Sequence, residues 1–247
     1  MKRSNLFMIT ALVLAAFTAA PAKKAKTKVV EFRGKAYDLK SGRYLYQEHH
    51  REHYRSGKHV YSDVYYKAPG GKVWAYKRIR FTGSRTAPDF RFVDYRVSFK
   101  MGSRKRARNF RLYAGEGKSP ASKTVRIPGS VVVDGGFDYF IRDNWNKLVA
   151  GRVTYANFVV PARKDYFKFQ IRKVGNKTVR GRPAHLFRLR MNNAVLRVFV
   201  SDLFVAYDKK TKLLLEYKGM TNILNTKTGD NFRARILFPT TRPSPGA

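Results

Sequence analysis

The sequence predicts a mainly β protein: a curved antiparallel sheet of half-barrel character packed against one amphipathic helix. Three observations lead there. Apolar and polar residues alternate with period two over most of the chain. Turn residues separate the alternating runs at hairpin spacing. The period changes to three and four only once, at residues 137–149. With 43% hydrophobic and 14% aromatic residues, the chain has the material for a core despite 52 Lys+Arg against 16 Asp+Glu and a net charge of +36. The charge therefore rides on a folded domain.

Taken in order, the chain opens with Lys2 and Arg3, an apolar run from Leu6 to Ala20, and the small-x-small pattern Ala20-Pro21-Ala22. This is the pattern of a secretory signal peptide over residues 1–22, with cleavage expected after Ala22 and the periplasm as destination. The run is short of the roughly 20 apolar residues that a membrane span needs. Cleavage removes only Lys2 and Arg3, so nearly all the positive charge is exported. Lys23, Lys24, Lys26 and Lys28 then form a basic arm.

Strands are predicted at 29–33, 43–54, 59–67, 72–81, 90–99 and 107–113, with Ser56-Gly57 and Pro69-Gly70-Gly71 as hairpin turns. Loops rich in Gly, Ser and basic residues are predicted at 82–88, 100–106 and 114–123. In 137–149, Phe137, Phe140, Ile141, Trp145, Leu148 and Val149 share one helical face, with Asp134 before the start and Gly151 as the stop. Strands resume at 152–160, 165–174, 184–191, 194–207, 212–223 and 231–238. The run 194–207 reads as central, and its Asp202 as a candidate buried carboxylate or, more simply, as a salt-bridged core acid or the residue of a bulge near Ser201. Residues 23–238 read as a single β-rich domain, with 114–133 the place for a boundary if there are two. The segment 239–247, with its prolines, is expected to fray.

The function classes narrow by residue type. There is no cysteine, which removes disulfides, thiolate metal sites and thiol nucleophiles. No Gly-x-Ser-x-Gly elbow or phosphate-cradling loop is present, so nothing supports an enzyme and no cofactor is expected. His49, His50, His53 and His59 cluster beside Glu48 and Glu52, but on a strand residues four apart are about 13 Å apart, too far to share a metal. A metal-dependent enzyme centred there is the weakest of three readings.

The cations say more. Trp74, Tyr76, Arg78 and Arg80 alternate on one strand face, and Arg104, Lys105, Arg106, Arg108 and Arg111 follow as a phosphate-like footprint. Arg180, Arg182, Arg188 and Arg190 add another. Such residues suit a surface that binds a polyanion without a cavity. The expected partners are anionic lipid, lipopolysaccharide or another polyanion; nucleic acid is possible but not favoured, since no recognised motif accompanies the charge.

In the second half, Gly135-Gly136-Phe137, Asn144-Trp145, Val160-Pro161-Ala162-Arg163, Tyr207-Asp208 and Leu215-Glu216-Tyr217-Lys218-Gly219 resemble uncharacterised exported proteins of Gram-negative bacteria that carry domains of unknown function. More distantly, the order of strands around a helix is similar to that of periplasmic lipoprotein carriers of the LolA and LolB type, whose curved sheet wraps helices around a lipid-sized cavity. The resemblance implies a carrier-like cavity and assigns no functional residue. The leading expectation is thus a periplasmic, non-enzymatic binding protein for an apolar or amphipathic anion such as a lipid. Phe140 and Trp145 would line the cavity and Arg would stand at its rim.

Overall fold

The computed structural model describes residues 26–192 and 202–243. The expected signal peptide and most of the expected central run, residues 194–201, lie outside the described residues. The first half is a meander of eight strands: β1 (Thr27–Asp38), β2 (Tyr44–Arg55), β3 (Lys58–Lys67), β4 (Val73–Arg80), β5 (Asp89–Asp94), β6 (Phe99–Arg106), β7 (Asn109–Glu116) and β8 (Ser122–Arg126). A short β9 (Val131–Val133) leads into helices α1 (Gly136–Asp143) and α2 (Trp145–Val149). Six strands complete the chain: β10 (Thr154–Val160), β11 (Asp165–Val179), β12 (Arg182–Met191), β13 (Leu203–Asp208), β14 (Leu214–Leu224) and β15 (Asn231–Leu237).

All fifteen belong to one sheet, in the order β8-β7-β6-β5-β4-β3-β2-β1-β15-β14-β13-β12-β11-β10-β9. Every neighbouring pair is antiparallel except β9 and β10, which are parallel and joined by the crossover that holds both helices. The pairing of β1 with β15 welds the two halves.

The period-two pattern explains which face is buried. In β1, Val30, Phe32, Gly34 and Ala36 are buried while Val29, Glu31, Arg33 and Lys35 are exposed. The same alternation puts Phe90 and Phe92 of β5 and Phe110 and Leu112 of β7 on the inner face. Phe32 and Ala36 of β1 and these residues of β5 and β7 join Phe140, Ile141, Trp145 and Leu148 of the helices and Phe187 and Tyr207 of the far half in one continuous core. A flat sheet of this width could not bring both halves onto one short helical segment, so the sheet is curled.

Its edge strands β8 and β9 do not pair, and the sheet stays open. The gap is spanned instead by a 3₁₀ turn at Pro161–Arg163 that packs on β6 and β7, and by Lys123 Nζ, 3.5 Å from Asp165 Oδ2.

The structure departs from the sequence reading in several places. Residues 100–106, read as a loop, form β6. Gly102 is there because a β-carbon would run into the Phe90 carbonyl and the Tyr113 ring, so the residue that looks like loop punctuation is a close-approach glycine inside a sheet. The segment 114–123, read as a loop, holds the end of β7 and the start of β8, and β8 and β9 are strands that the sequence reading does not include.

The helix breaks at Asn144 (φ −101°, ψ 14°), whose side-chain amide donates to the Phe140 carbonyl at 2.9 Å, the carbonyl that also accepts its backbone N–H at 3.1 Å. It ends as predicted at Gly151, φ +82°, with Arg152 N–H donating to Lys147 O and Gly151 N–H to Leu148 O. Asp202 is one-fifth exposed rather than buried, and Arg190 Nε lies 3.0 Å from both its oxygens.

The expected fraying from Pro239 is also corrected for its first residues. Arg242 turns back into the interior, its guanidinium carbon 3.7 Å from the Phe32 ring centroid and Nη1 3.8 Å from Glu52 Oε1. There it joins a polar layer inside the curl. His59 lies 2.7 Å from Tyr139 Oη and 2.8 Å from Ser62 Oγ, and Asp138 pairs with Arg142. Burial pushes the His59 imidazole below its ordinary pKa.

The outer face carries charge anchored by a few buried acids. Asp208 accepts from Arg182 Nε at 2.7 Å, from Lys210 N–H at 2.9 Å and from Thr211 N–H at 2.7 Å. Burial would raise its pKa, but these donors hold it down at about 2, against 3.8 unperturbed. Because the folded value is the lower one, Asp208 contributes stability above pH 3.8, and that contribution is lost as pH falls toward 2. Denaturant unfolding between pH 5 and 2 is expected to show the native protein losing stability across this window. Asp208→Asn should start less stable and lose less; equal pH slopes would remove Asp208 from the account.

Candidate functional site

At one end of the curl, four segments distant in sequence meet around a cleft of about 670 Å³. The loop after β4 contributes Ser84, Thr86 and Ala87, and the β6–β7 turn contributes Lys105 and Arg108. Arg126 to Ser130 form the third wall, and Phe140, Asp143 and Asn144 of the helical segment close it.

Each wall is held locally. The β6–β7 turn is tight because Ala107 adopts φ +52°, and Lys105 N–H donates to Asp89 Oδ1 at 2.8 Å. Asn157 ties the third wall to β10, its amide donating to Pro128 O at 2.7 Å and its backbone N–H to Ser130 O at 2.8 Å. The 84–87 loop is pinned by Ala87 N–H to Ser84 Oγ at 3.0 Å and by Val133 N–H to Thr86 O at 3.0 Å.

The cleft is apolar below and cationic above. Ala87, Phe110, Ile127 and Phe140 are buried members of the core, so the floor is a patch of core surface facing the opening. Arg108 and Arg126 are exposed, and Lys105 Nζ sits 6.0 Å from the Phe110 ring centroid. The single carboxylate of the lining, Asp143, is already 3.6 Å from Arg85 Nη2. Three cations therefore face an opening whose one acid is engaged by a fourth, an arrangement that attracts an anion carrying apolar surface.

The structure brings together only some of the residues the sequence pointed to. Phe140, Lys105 and Arg108 meet in the cleft. Trp145 does not line it: the indole is buried against Phe187 and Tyr207, at 5.7 and 6.2 Å between ring centroids. Trp74 packs against the core with Arg96 stacked over it at 4.5 Å.

Tyr76 and Arg78 converge on Asp63 from the neighbouring strand. The Tyr76 hydroxyl donates to it, and Arg78 forms a fork at 2.7 and 2.9 Å. Burial would raise the Asp63 pKa, but those donors hold it below the usual carboxylate range. Arg78 is thus a neutralised partner of a buried acid. Arg80, Arg104, Arg106 and Arg111 are exposed, and Arg104 stands directly opposite Arg111 on the next strand.

The histidines divide between faces and partners. His49 is 2.9 Å from Glu31, His50 is 2.9 Å from Glu48, His53 is 3.6 Å from Asp63, and His59 faces Tyr139. Among the described residues no group of three or more His, Asp or Glu is placed to hold a metal ion. Sequence reasoning missed Arg126, Ser84 and Ser130. The one signal for the third wall was the brief alternation of Lys123, Val125 and Ile127, hidden among turn residues.

No protein-family model matches the chain, and no curated protein does. Among solved structures, the chain is similar to a beta-barrel-like protein of the domain of unknown function DUF1849 from Brucella abortus. The TM-score is 0.52 at 6% identity, covering 86% of this chain and 98% of that one. A DUF1329 family protein from Desulfovibrio piger also matches, with a TM-score of 0.29 at 11% identity over 88% of this chain and 85% of that one. At 6% identity the first likeness is one of fold.

Proposed function

We propose that the protein is a periplasmic, non-enzymatic binding protein for an amphipathic anion of lipid type. Lys105, Arg108 and Arg126 would hold the acidic head, and the apolar part would lie over Phe140, Phe110 and Ile127. The observation that carries this reading is that three cations line one cleft whose floor is made of core residues, in a volume within the usual range for small-molecule sites. The periplasmic location rests on the pattern of residues 1–22. The barrel-like fold of the Brucella protein is compatible with a binding role and names no ligand.

Oleate displacement of a fluorescent anionic probe tests the proposal. Replacing two of the cations, Arg108→Ser with Arg126→Ser, is expected to weaken oleate binding by at least about 10-fold, since even one hydrogen bond to a charged group contributes about 1.5–3 kcal/mol. The melting temperature should stay near that of the native protein, because both side chains are exposed. Unchanged affinity in a folded double variant would sink the reading.

A second reading, a polyanion lying across the outer face, is favoured by one observation. Arg104 and Arg111 are direct cross-strand neighbours, and like charges so placed repel until an anion lies between them. Replacing both with Ser would abolish binding of a long polyphosphate on this reading, and the cleft variant would not.

A further inference from the structure

A second cationic groove lies on the outer face where the two halves of the sheet join, and it shares no residue with the cleft. Its volume is about 490 Å³, and Arg33, Lys35, Tyr37, Arg180, Thr240 and Thr241 line it. Arg33, Lys35 and Tyr37 alternate along β1 and so project from one face, about 7 Å apart in succession. No carboxylate lines the groove. The neighbouring acids are committed elsewhere: Glu31 to His49 and Arg51, and Glu216 to Lys177 and Arg235.

Arg180 supplies an independent observation. It and Gly181 are the two turn residues between Val179 and Arg182, with φ +49° and +78°. That is the geometry of a type I′ hairpin, whose first position suits Asn, Asp or Gly. A long cationic side chain occupies it instead, in a backbone conformation that L residues with a β-carbon adopt at a cost. The guanidinium reaches from the β11–β12 hairpin to the end of β15, where Nη1 donates to Phe238 O at 3.3 Å. The strained residue is the one that delivers the third cation to the groove.

We infer that this groove is a binding site for a phosphate monoester group, with Arg33, Lys35 and Arg180 pairing its oxygens and the hydroxyls of Tyr37, Thr240 and Thr241 as further donors. Three cations and three hydroxyls without an acid match the dianion and its ester oxygen, and guanidinium groups bind such oxygens in fork geometry. The phosphate could belong to a soluble molecule or to a lipid head.

Titration of the full chain with inorganic phosphate, followed through the Nε–H signals of Arg33 and Arg180, tests the site. Saturable shifts are expected at both residues, and chloride at matched ionic strength should not reproduce them. Arg180→Asn keeps a residue suited to the turn, so the fold should be retained or stabilised while the apparent dissociation constant rises about tenfold. Lys35→Gln, on an exposed strand position, should weaken binding similarly and serves if the first variant misfolds. Sedimentation with phosphatidylcholine vesicles, with and without phosphatidic acid, assigns the source. Recruitment by phosphatidic acid that Lys35→Gln weakens marks a lipid head, and phosphate binding without recruitment marks a soluble ester. Phosphate shifts absent at Arg33 and Arg180, matched by chloride, or unchanged in both folded variants would overturn the inference.

Discussion

Trp145→Ala is expected to cost about 3–5 kcal/mol of folding stability, the range for truncating a large buried aromatic, while leaving amphiphile binding at the cleft intact in the folded fraction. The indole is 7% exposed, packs edge-on to Phe187 and Tyr207, and carries Lys212 Nζ over its ring at 5.4 Å. Residues of α2, β12 and β13 thus share one set of contacts, and removing the ring opens a void that close-packed neighbours fill only in part. Urea unfolding combined with oleate binding at low denaturant measures both quantities. A cost below about 1 kcal/mol together with lost oleate binding would instead make Trp145 a ligand contact, the role the sequence suggested for it beside Phe140.

Gly136→Ala is expected to cost about 3 kcal/mol, the upper part of the usual overpacking range, and to weaken the cleft as well. A β-carbon at this first residue of α1 would fall inside the Thr86 carbonyl and 2.9 Å from Pro88 Cδ. The obstacle is backbone, which cannot swing aside as a side-chain tip can. The same carbonyl accepts the Val133 N–H, so displacing it also loosens β9. Thr86 and Phe140 both line the cleft, and a shifted α1 would change their spacing. Gly70→Ala is the control: nothing lies within 4 Å of its β-carbon position, and its stability should move by less than about 1 kcal/mol. Equal effects at the two sites, read by urea unfolding, would remove the steric account.

The elements legible in the sequence were those whose signal is local. The alternation in β1 and β15 and the turn glycines at Gly57 and Gly71 are properties of adjacent residues, and the predicted strands there agree with the structure to within a few residues, apart from β1, which runs longer at both ends. β6 was illegible because its Gly102 answers to Phe90 and Tyr113 on the two neighbouring strands, and Arg104 and Arg106 look like loop cations when their outward direction is unknown. The break at Asn144 lies within the predicted helix because a single residue leaves the helical angles while the apolar spacing runs on across it. Arg242 reads as part of a loose tail, since nothing near it in sequence reveals that Glu52 and Phe32 await it.

By itself the sequence determined that the chain is β-rich, that its surface is strongly positive, and that its one helical segment has an apolar face. These follow from side-chain direction at fixed backbone periods and from composition. Which cations act together was decided only by the tertiary structure. Arg108 and Arg126 meet over Phe140, and Arg33 meets Arg180, because a curled sheet brings distant segments to one mouth and the β1–β15 pairing brings the two halves to one seam. Arg78, equally prominent in the sequence, is instead neutralised by a buried Asp63. Charge is a property of composition, but an anion site requires several charges within a few ångströms and no competing acid, and that convergence exists only once the chain has folded.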